Sequence, residues 1–324
     1  MFSLANPIKM QRLGIMGMNQ RNFSYIGRYN DRKLYPNVDD KLKTKRLGME
    51  HGIAVPDLIS IVRYQHEVKR VFKILDKHSG FCIKPAKGSG GKGILVVLST
   101  DEKGYRKASG DYVTKVDIVR HISNVLAGLF SLGGTADIAV IEALIEFDPV
   151  FDGLSHEGVP DIRMIVFQGY PIMSMLRLAT HASDGKANLH QGAVGVGLDI
   201  SNGHSVAAVQ FDQPVSNHPD TGKALADIRI QKWDALLTLA AGCFEMSELG
   251  FLGVDIVIDR VKGPLVLELN ARPGLAIQIA NQQGMLPRLR LIEAQDLKRI
   301  PDVAQRVAFT KSHFANSITA NAKL

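Results

Sequence analysis

The segment Phe81 to Val97, FCIKPAKGSGGKGILVV, sets glycines at 88, 90, 91 and 93 between two apolar runs. A dinucleotide-binding turn requires such a motif to open a helix, because the pyrophosphate rests on that helix's N-terminus. Here Gly93 is followed by Ile-Leu-Val-Val-Leu, which reads as a strand. The NTPase P-loop spacing fails as well, since the residue five before Gly91 is Ala86. A protein-kinase flap does lie between strands, but the chain has no H-R-D and no D-F-G. What remains is a glycine hairpin with Lys84 on its incoming strand and Lys87 and Lys92 around its tip. Glycines let backbone N–H groups approach an anion, and the lysines add charge. A merely flexible hairpin with solvated lysines answers the same pattern, so the loop alone leaves two readings open.

A second stretch decides between them. GVDIVIDRVKGPLVLELN reads as a hairpin with its turn at Arg260 to Gly263. Glu268 and Asn270 are two apart on a strand and share a face. Counting back from that turn, Asp259 faces Pro264 and Asp255 faces Glu268. Asp255, Glu268 and Asn270 then converge as oxygen donors, which suits one or two Mg²⁺ ions, or Mn²⁺ in their place, bridging substrate phosphates. A solvated polar face explains poorly why acidic and amide groups interrupt runs this apolar.

With 324 residues and 45% apolar content the chain has material for two or three packed domains. Its longest apolar run, Ala235 to Phe244, falls short of the roughly 20 residues a membrane span needs. The opening MFSLANPIKMQRLG has no signal-peptide pattern. Two cysteines, Cys82 and Cys243, fit a reducing, cytoplasmic setting. The net charge of +7 is uneven: residues 1–107 hold 21 Lys/Arg against 9 Asp/Glu, and the remainder holds 18 against 23. A polyanionic nucleotide, an acidic protein, a membrane surface or nucleic acid would each suit that basic third. With no zinc-finger spacing and no RNP-type motif, the nucleic-acid reading rests on charge alone.

Residues 1–38 show turn-forming pairs and no period, so a short, irregular basic arm is expected. Asp39 or Asp40 caps a helix that Gly52 ends. A further helix is expected at 65–77, then strands at Phe81 to Pro85 and Ile94 to Leu98, a helix from Lys115 to Leu132 and a strand at 138–147. Two strands join at Gly169, a helix runs from Lys232 to Leu249, and the last two dozen residues read as loosely held. His181 and His190 read as ordinary loop histidines, and Met173 and Met175 as core.

Assembled, these motifs resemble the ATP-grasp superfamily, and within it the RimK-like α-L-glutamate ligases, from about Asp39 to Ala276. The arm GMNQRNFSYIGRYNDRKLYPNVDDK resembles the branch of α-L-glutamate ligase-related proteins. The resemblance implies an α+β ATP-grasp fold whose two α+β lobes enclose the nucleotide, with a shortened N-terminal region. The divisions expected are a basic arm (1–38), a small lobe with the glycine loop (39–140), a catalytic lobe with the metal site (141–300) and a C-terminal tail (301–324). DDKLK is similar to the family's D-K opening, giving Lys41. FCIKPAKGSGGKGI gives the phosphate lysine Lys84 and the mobile loop of Gly88, Ser89, Gly90 and Gly91. VIEALI resembles the hinge strand, where Glu142 would meet the adenine amino group and the backbone of Ala143, Leu144 and Ile145 its ring edge. PDIRMIVFQG gives Asp161 for the ribose. SMLRLATHASDGKANLHQGA puts Arg177, Lys186 and Asn188 near the triphosphate, and Asp255, Glu268 and Asn270 match the metal ligands.

The resemblance further implies an ADP-forming carboxylate–amine ligase that uses ATP and Mg²⁺ to join glutamate or a similar amino acid to an acceptor. Lys84, Lys41 and Arg177 would offset phosphate charge, and Arg272 would grip an acyl phosphate or carboxylate. A ligase for another amino acid or an amino sugar, a nucleotide-binding regulator and a nucleic-acid-binding module are the rival readings. Two departures stand out: the usual N-terminal α/β domain is missing or replaced, and Gln191-Gly192-Ala193 stands where a second glycine is usual. The arm, with 10 Lys/Arg against 3 Asp/Glu over residues 9–46, either folds back so that Arg21, Arg28 or Arg32 meets an acidic co-substrate, or docks an acidic partner. Amino-acid or peptide substrates are the other partners implied.

Overall fold

The computed structural model describes residues 7–88, 90–107, 109–155 and 158–315. Short alternating runs punctuated by glycine build the first sheet. Its strands are β1 (Leu58–Val62), β2 (Phe81–Pro85), β3 (Leu95–Asp101), β4 (Gly104–Lys107), β5 (Tyr112–Val113) and β6 (Ala139–Ala143), in the order β1-β6-β2-β3-β4-β5 and antiparallel throughout. One helix, Lys115–Leu126, begins with a capping box in which Thr114 and Asp117 satisfy each other's backbone N–H. Ile118, Ile122 and Val125 recur at helical spacing and bury against Phe81, Ile83 and Ile141 of the sheet. This helix ends at Leu126 rather than Leu132, because Gly128 takes a φ of 82° and a Cβ there would fall 2.3 Å from the Thr135 carbonyl oxygen. The helix expected at 65–77 is a 3₁₀ stretch, Gln65–Val71, running into one α-turn, Phe72–Leu75. The strand expected at 138–147 is shorter and stops at Ala143.

The second sheet takes the longer apolar runs. It contains β7 (Asp161–Phe167), β8 (Tyr170–Leu178), β9 (Val194–Leu198), β10 (Ser205–Gln210), β11 (Gln213–Pro214), β12 (Phe251–Asp259) and β13 (Gly263–Asn270), in the order β11-β10-β9-β8-β7-β12-β13. Gln168 and Gly169, with φ of 50° and 78°, make the left-handed pair that joins β7 to β8. The helix Trp233–Ser247 lays Leu236, Leu237, Ala240 and Ala241 on this sheet. The C-terminal segment is not loose as expected: Val303–His313 is a helix capped by Asp302, with Arg306 and Thr310 buried. Residues 316–324 of that tail lie outside the described residues. Among the described residues no helix is long and apolar enough to cross a membrane.

The arm is not irregular either. It forms Pro7–Arg12, then helical turns from Met18 to Tyr29 with a π-helical stretch at Arg21–Ile26, then Arg32–Leu34 and Pro36–Asp39. Its own periodicity is too short to show in sequence, and distant contacts hold it instead. Tyr25 and Tyr29 pack on Phe167 with ring centres 5.6 and 4.8 Å away. The Asn30 amide donates to the carbonyls of Phe251 and Ala271 and accepts from Phe251 N–H. The segment therefore belongs to the second sheet's lobe.

Candidate functional site

The helix Lys41–Glu50 is the joint between the lobes. Asp40 caps it by accepting from Leu42 and Lys43 N–H. Leu42 packs with Ala86 and Val140 of the first lobe, while the helix itself lies on Trp233–Ser247 and β13. Lys41 and Lys45, one helical turn apart, project from the same face into the cleft. Lys41 Nζ donates to the Gly88 carbonyl at 2.7 Å and lies 3.2 Å from Glu268 Oε1. One side chain thus touches both the glycine loop and the acidic strand.

The acidic ladder is set by a bulge that sequence counting does not reveal. Asp259 pairs with Gly263, not Pro264, and a regular ladder from there would set Leu267 opposite Asp255. An irregularity between Asp255 and Ile256 inserts one extra residue, so Glu268 stands opposite Asp255 after all. Without it Glu268 would turn to the other face. Asn270 lies within 3.4 Å of Asp255 through its amide nitrogen.

Asp255 is buried between two guanidiniums. Arg163 donates to it through Nε and, at 2.6 Å, through Nη2, and Arg177 donates at 2.8 Å. Arg177 also grips Asp161 with two parallel bonds at 2.5 Å. Burial works to raise the Asp255 carboxyl, and the two guanidiniums outweigh it, so it sits below the ordinary carboxylate range. For Asp161 burial prevails over Arg177 and pushes the carboxyl up to about 6. At neutral pH both are ionised, and together they hold Arg177 charged against the cost of its own burial.

On the other wall, Glu142 lies between Lys45 at 2.7 Å and Lys84 at 2.6 Å, all three buried. Its carboxylate serves the two lysines instead of standing open toward an adenine amino group as expected. The pairing outweighs burial at Lys84, which is held above its ordinary value; at Lys45 burial prevails and lowers it. Beyond Glu142, Ala143 N–H is taken by the Asp57 carbonyl at 3.0 Å, and Leu144 and Ile145 are half-buried. A narrow pocket is lined by Lys41, Lys45, Lys84, Glu142 and Glu268 at one side and by Val55, Met246 and Leu267 at the other. A second pocket under Gly88, Gly90 and Gly91 shares Lys41, Lys84 and Glu268 with it.

Some expected residues stand apart. Lys186 pairs with Asp184, and the Asn188 side chain caps His190 N–H, so both serve their own loop. Arg272 is half-exposed, stacked over Tyr35 and 3.6 Å from Asp39. Arg28 is turned to Glu293. Ser89 lies outside the described residues. Met173 and Met175 are buried in the core. Sequence reasoning missed Arg163 and Lys45. The signals were there, since Arg163 follows Asp161 by two on one strand face and Lys45 follows Lys41 by four on one helix face.

Among the described residues no three or more His, Cys, Asp or Glu side chains gather as a metal cage. Asp255, Glu268 and Asn270 nonetheless carry side-chain oxygens of the hard kind that Mg²⁺ takes, with both Asp255 oxygens here accepting from Arg163 and Arg177.

Two antiparallel sheets, a glycine hairpin over one and an acid-amide ladder on the other, joined by a lysine-bearing helix, define an ATP-grasp protein. Within that class the chain belongs to the sugar-transfer associated ATP-grasp family, whose model matches residues 20–294. The superfamily expected from the sequence holds; the branch matched is described by sugar transfer, not glutamate ligation. No curated protein matches the sequence. Among solved structures, the chain is similar to the ATP-grasp ligase PsnB complexed with its minimal precursor (15% identity, TM-score 0.45, 82% of this chain and 63% of that one). It is also similar to the D-cycloserine synthetase DcsG (15%, 0.47, 84% and 73%) and to D-alanyl-alanine synthetase A from Vibrio cholerae (12%, 0.46, 86% and 67%). It thus spans less than two thirds of PsnB's length.

Proposed function

We propose that the protein is an ATP-dependent, ADP-forming carboxylate–amine ligase. The observation that carries this reading is Lys41, which joins the glycine loop at Gly88 to the acidic strand at Glu268. The apolar side chains of Val55, Met246 and Leu267 suit the adenine, and the neighbouring glycines with Lys41 and Lys84 suit the phosphates. Asp255, Glu268 and Asn270 would hold Mg²⁺, which supplies charge neutralisation at the phosphate oxygens. Lys41 and Lys84 offset the remaining negative charge, and Arg163 and Arg177 fix Asp255 in place. A substrate carboxylate oxygen attacks the γ-phosphorus, the bond to the β-phosphate oxygen breaks, and ADP leaves. The amine nitrogen of the acceptor then attacks the acyl carbon, the bond to phosphate oxygen breaks, and the amine's proton departs with solvent.

Glutamate or a similar amino acid is the substrate class proposed, and the family's association with sugar transfer makes an amino sugar the alternative acceptor. The test is ADP release from ATP and Mg²⁺ with each standard amino acid and with amino sugars, in the wild type and in Glu268→Gln. Glu268 is about a third exposed and its pair with Lys41 contributes at most about 1 kcal/mol, so the variant should melt with the wild type. Its ADP release should fall by about 100-fold. Asp255 is the poorer target, because removing its charge strands two buried guanidiniums at a cost of about 3–5 kcal/mol. Undiminished ADP release in Glu268→Gln would overturn the reading.

A further inference from the structure

Large apolar side chains stand exposed along the arm at Ile8, Met10, Leu13, Met18 and Phe23. Phe23 is 80% exposed, Met18 64% and Ile8 62%. One such residue is ordinary on a protein surface; a run of five in so short a stretch is not. The local structure explains how they come to point outward. Helix Pro7–Arg12 stops because Gly14 takes a φ of 67°, so that Gly14 N–H reaches the Gln11 carbonyl and Ile15 N–H the Met10 carbonyl, both at 3.0 Å. At that turn the Leu13 and Gly14 carbonyls accept from Gly284 and Leu286 N–H at 3.2 and 3.1 Å. Farther along, Tyr25 and Ile26 are buried, and the Tyr25 and Tyr29 hydroxyls donate to Glu293 at 3.5 and 2.8 Å. The arm is thus tied to both ends of the helix Leu286–Glu293, about 12 Å apart. Arg290 and Leu291, exposed on that helix, lie between the ties.

The same stretch carries charge of one sign. The first 30 residues hold four Lys/Arg and no Asp or Glu. Arg12 and Arg290 are exposed, and the Arg28 side chain is 69% exposed, with Glu293 no nearer than 3.5 Å. Glu293 itself is largely covered and accepts from two tyrosines, so the one acid beneath the arm faces inward. Asp31, the next acid along the chain, pairs with Lys33. Arg21 takes no part in the outer charge: it donates to the Pro273 carbonyl at 2.9 Å and to the Asn22 side chain at 3.0 and 2.8 Å. Neutral acceptors therefore hold the arginine expected to meet an acidic co-substrate.

We propose that this face of the arm docks on an anionic lipid bilayer, with Ile8, Leu13, Met18 and Phe23 entering the acyl boundary and Arg12, Arg28 and Arg290 meeting lipid phosphates. Apolar side chains that protrude among guanidiniums suit a fluid interface, which closes around each one and presents negative charge beside it. A protein partner would need a matching hollow for every protrusion. The inference is independent of the ligase reading, since none of these residues lines the two pockets of the cleft.

The test is co-sedimentation of the full chain with vesicles of phosphatidylcholine alone and of phosphatidylcholine mixed equally with phosphatidylglycerol. Wild-type protein should partition onto the anionic vesicles at least about tenfold more strongly than onto the neutral ones. Phe23→Ser should weaken that partition about tenfold, and Arg12→Gln about fivefold. Val261→Ser, which alters a side chain 78% exposed elsewhere on the surface, should leave it unchanged. All three positions are exposed, so the variants should melt as the wild type does. No vesicle binding, equal binding to both compositions, or binding by Phe23→Ser that matches the wild type would overturn the proposal. A dimer in sedimentation velocity that Phe23→Ser dissolves, without vesicle binding, would give this face to a second copy and overturn the lipid assignment.

Discussion

Asp161 and Asp255 share the guanidinium of Arg177 yet titrate apart, because burial governs the first and two facing cations govern the second. As pH falls through about 6, Asp161 takes a proton and releases Arg177, while Asp255 stays ionised. The sign matters for what is lost. A carboxyl raised in the folded state binds its proton there more readily than in the unfolded chain, so acidification toward pH 5 costs no stability through Asp161. Turnover measured as ADP release is therefore expected to drop about tenfold between pH 7 and pH 5, while the melting temperature shows no loss traceable to this residue. Asp161→Asn should start low and lack that acid limb. A wild-type profile flat over this window would count against a working role for the Asp161–Arg177 pair. At this scale the sequence showed which residue types were present, strand spacing singled out Glu268, and the family resemblance added Asp161, Arg177 and Lys41. It did not show pairings: Glu142 and Lys45 find each other only because β6 and the joint helix are brought together by the fold.

The glycine hairpin is fixed at its root and open at its tip. Gly90 and Gly91 have φ of 63° and 74°, and nothing lies within 4 Å of where their Cβ atoms would be. At the root the Asp137 carboxylate accepts from Lys87 N–H at 3.0 Å, from Ile138 N–H at 2.7 Å and from the Ser131 hydroxyl, while His121 Nε2 meets the Gly93 carbonyl at 3.0 Å. Asp137→Ala strands those donors at about 1–3 kcal/mol each, felt locally. Amide exchange at 87–93 should quicken about tenfold and the KM for ATP should rise several-fold, with kcat less affected. An ATP analogue with Mg²⁺ should slow exchange in the wild type, since an anion offsets the entropy lost on ordering the glycines. Exchange unchanged by the substitution would mean the root is held elsewhere. Elements of this kind were largely legible, because alternation and glycine placement mark β2, β7, β8, β12 and β13. Their fine register was not. The pairing of Asp255 with Glu268 came out right because a one-residue error at the turn and the extra residue at the bulge cancel.

At the size of the molecule, two apolar cores divide the chain unequally. The smaller is drawn from residues 62–141 alone, around Phe81, Ile83, Ile122 and Ile141. The larger reaches from Met16 and Tyr25 to Val307 and Phe314, so the first and last described segments close over the second sheet. That closure could not be read from sequence, since Asn30 bonds to Phe251 across 221 residues and no local pattern records such a contact. Between the cores the buried apolar link at the joint is small, Leu42, Ala86 and Val140 with Leu58, Ile61 and Ile138 against them, and Lys41 and Lys45 add polar contacts. A weakly coupled pair of cores unfolds in two steps. Scanning calorimetry of the free protein is expected to show two transitions, the lower one from the smaller core. On the reading proposed above ADP with Mg²⁺ would bridge the two lobes, so at about a hundredfold excess over Kd it should stabilise the site by about 2.7 kcal/mol and draw the transitions together. Lys41→Ala should keep both transitions and show a smaller shift, because it removes the side chain that meets Gly88 and Glu268 at once. One transition in the free protein, equal in calorimetric and van't Hoff enthalpy, would show instead that the joint helix couples the lobes into a single cooperative unit.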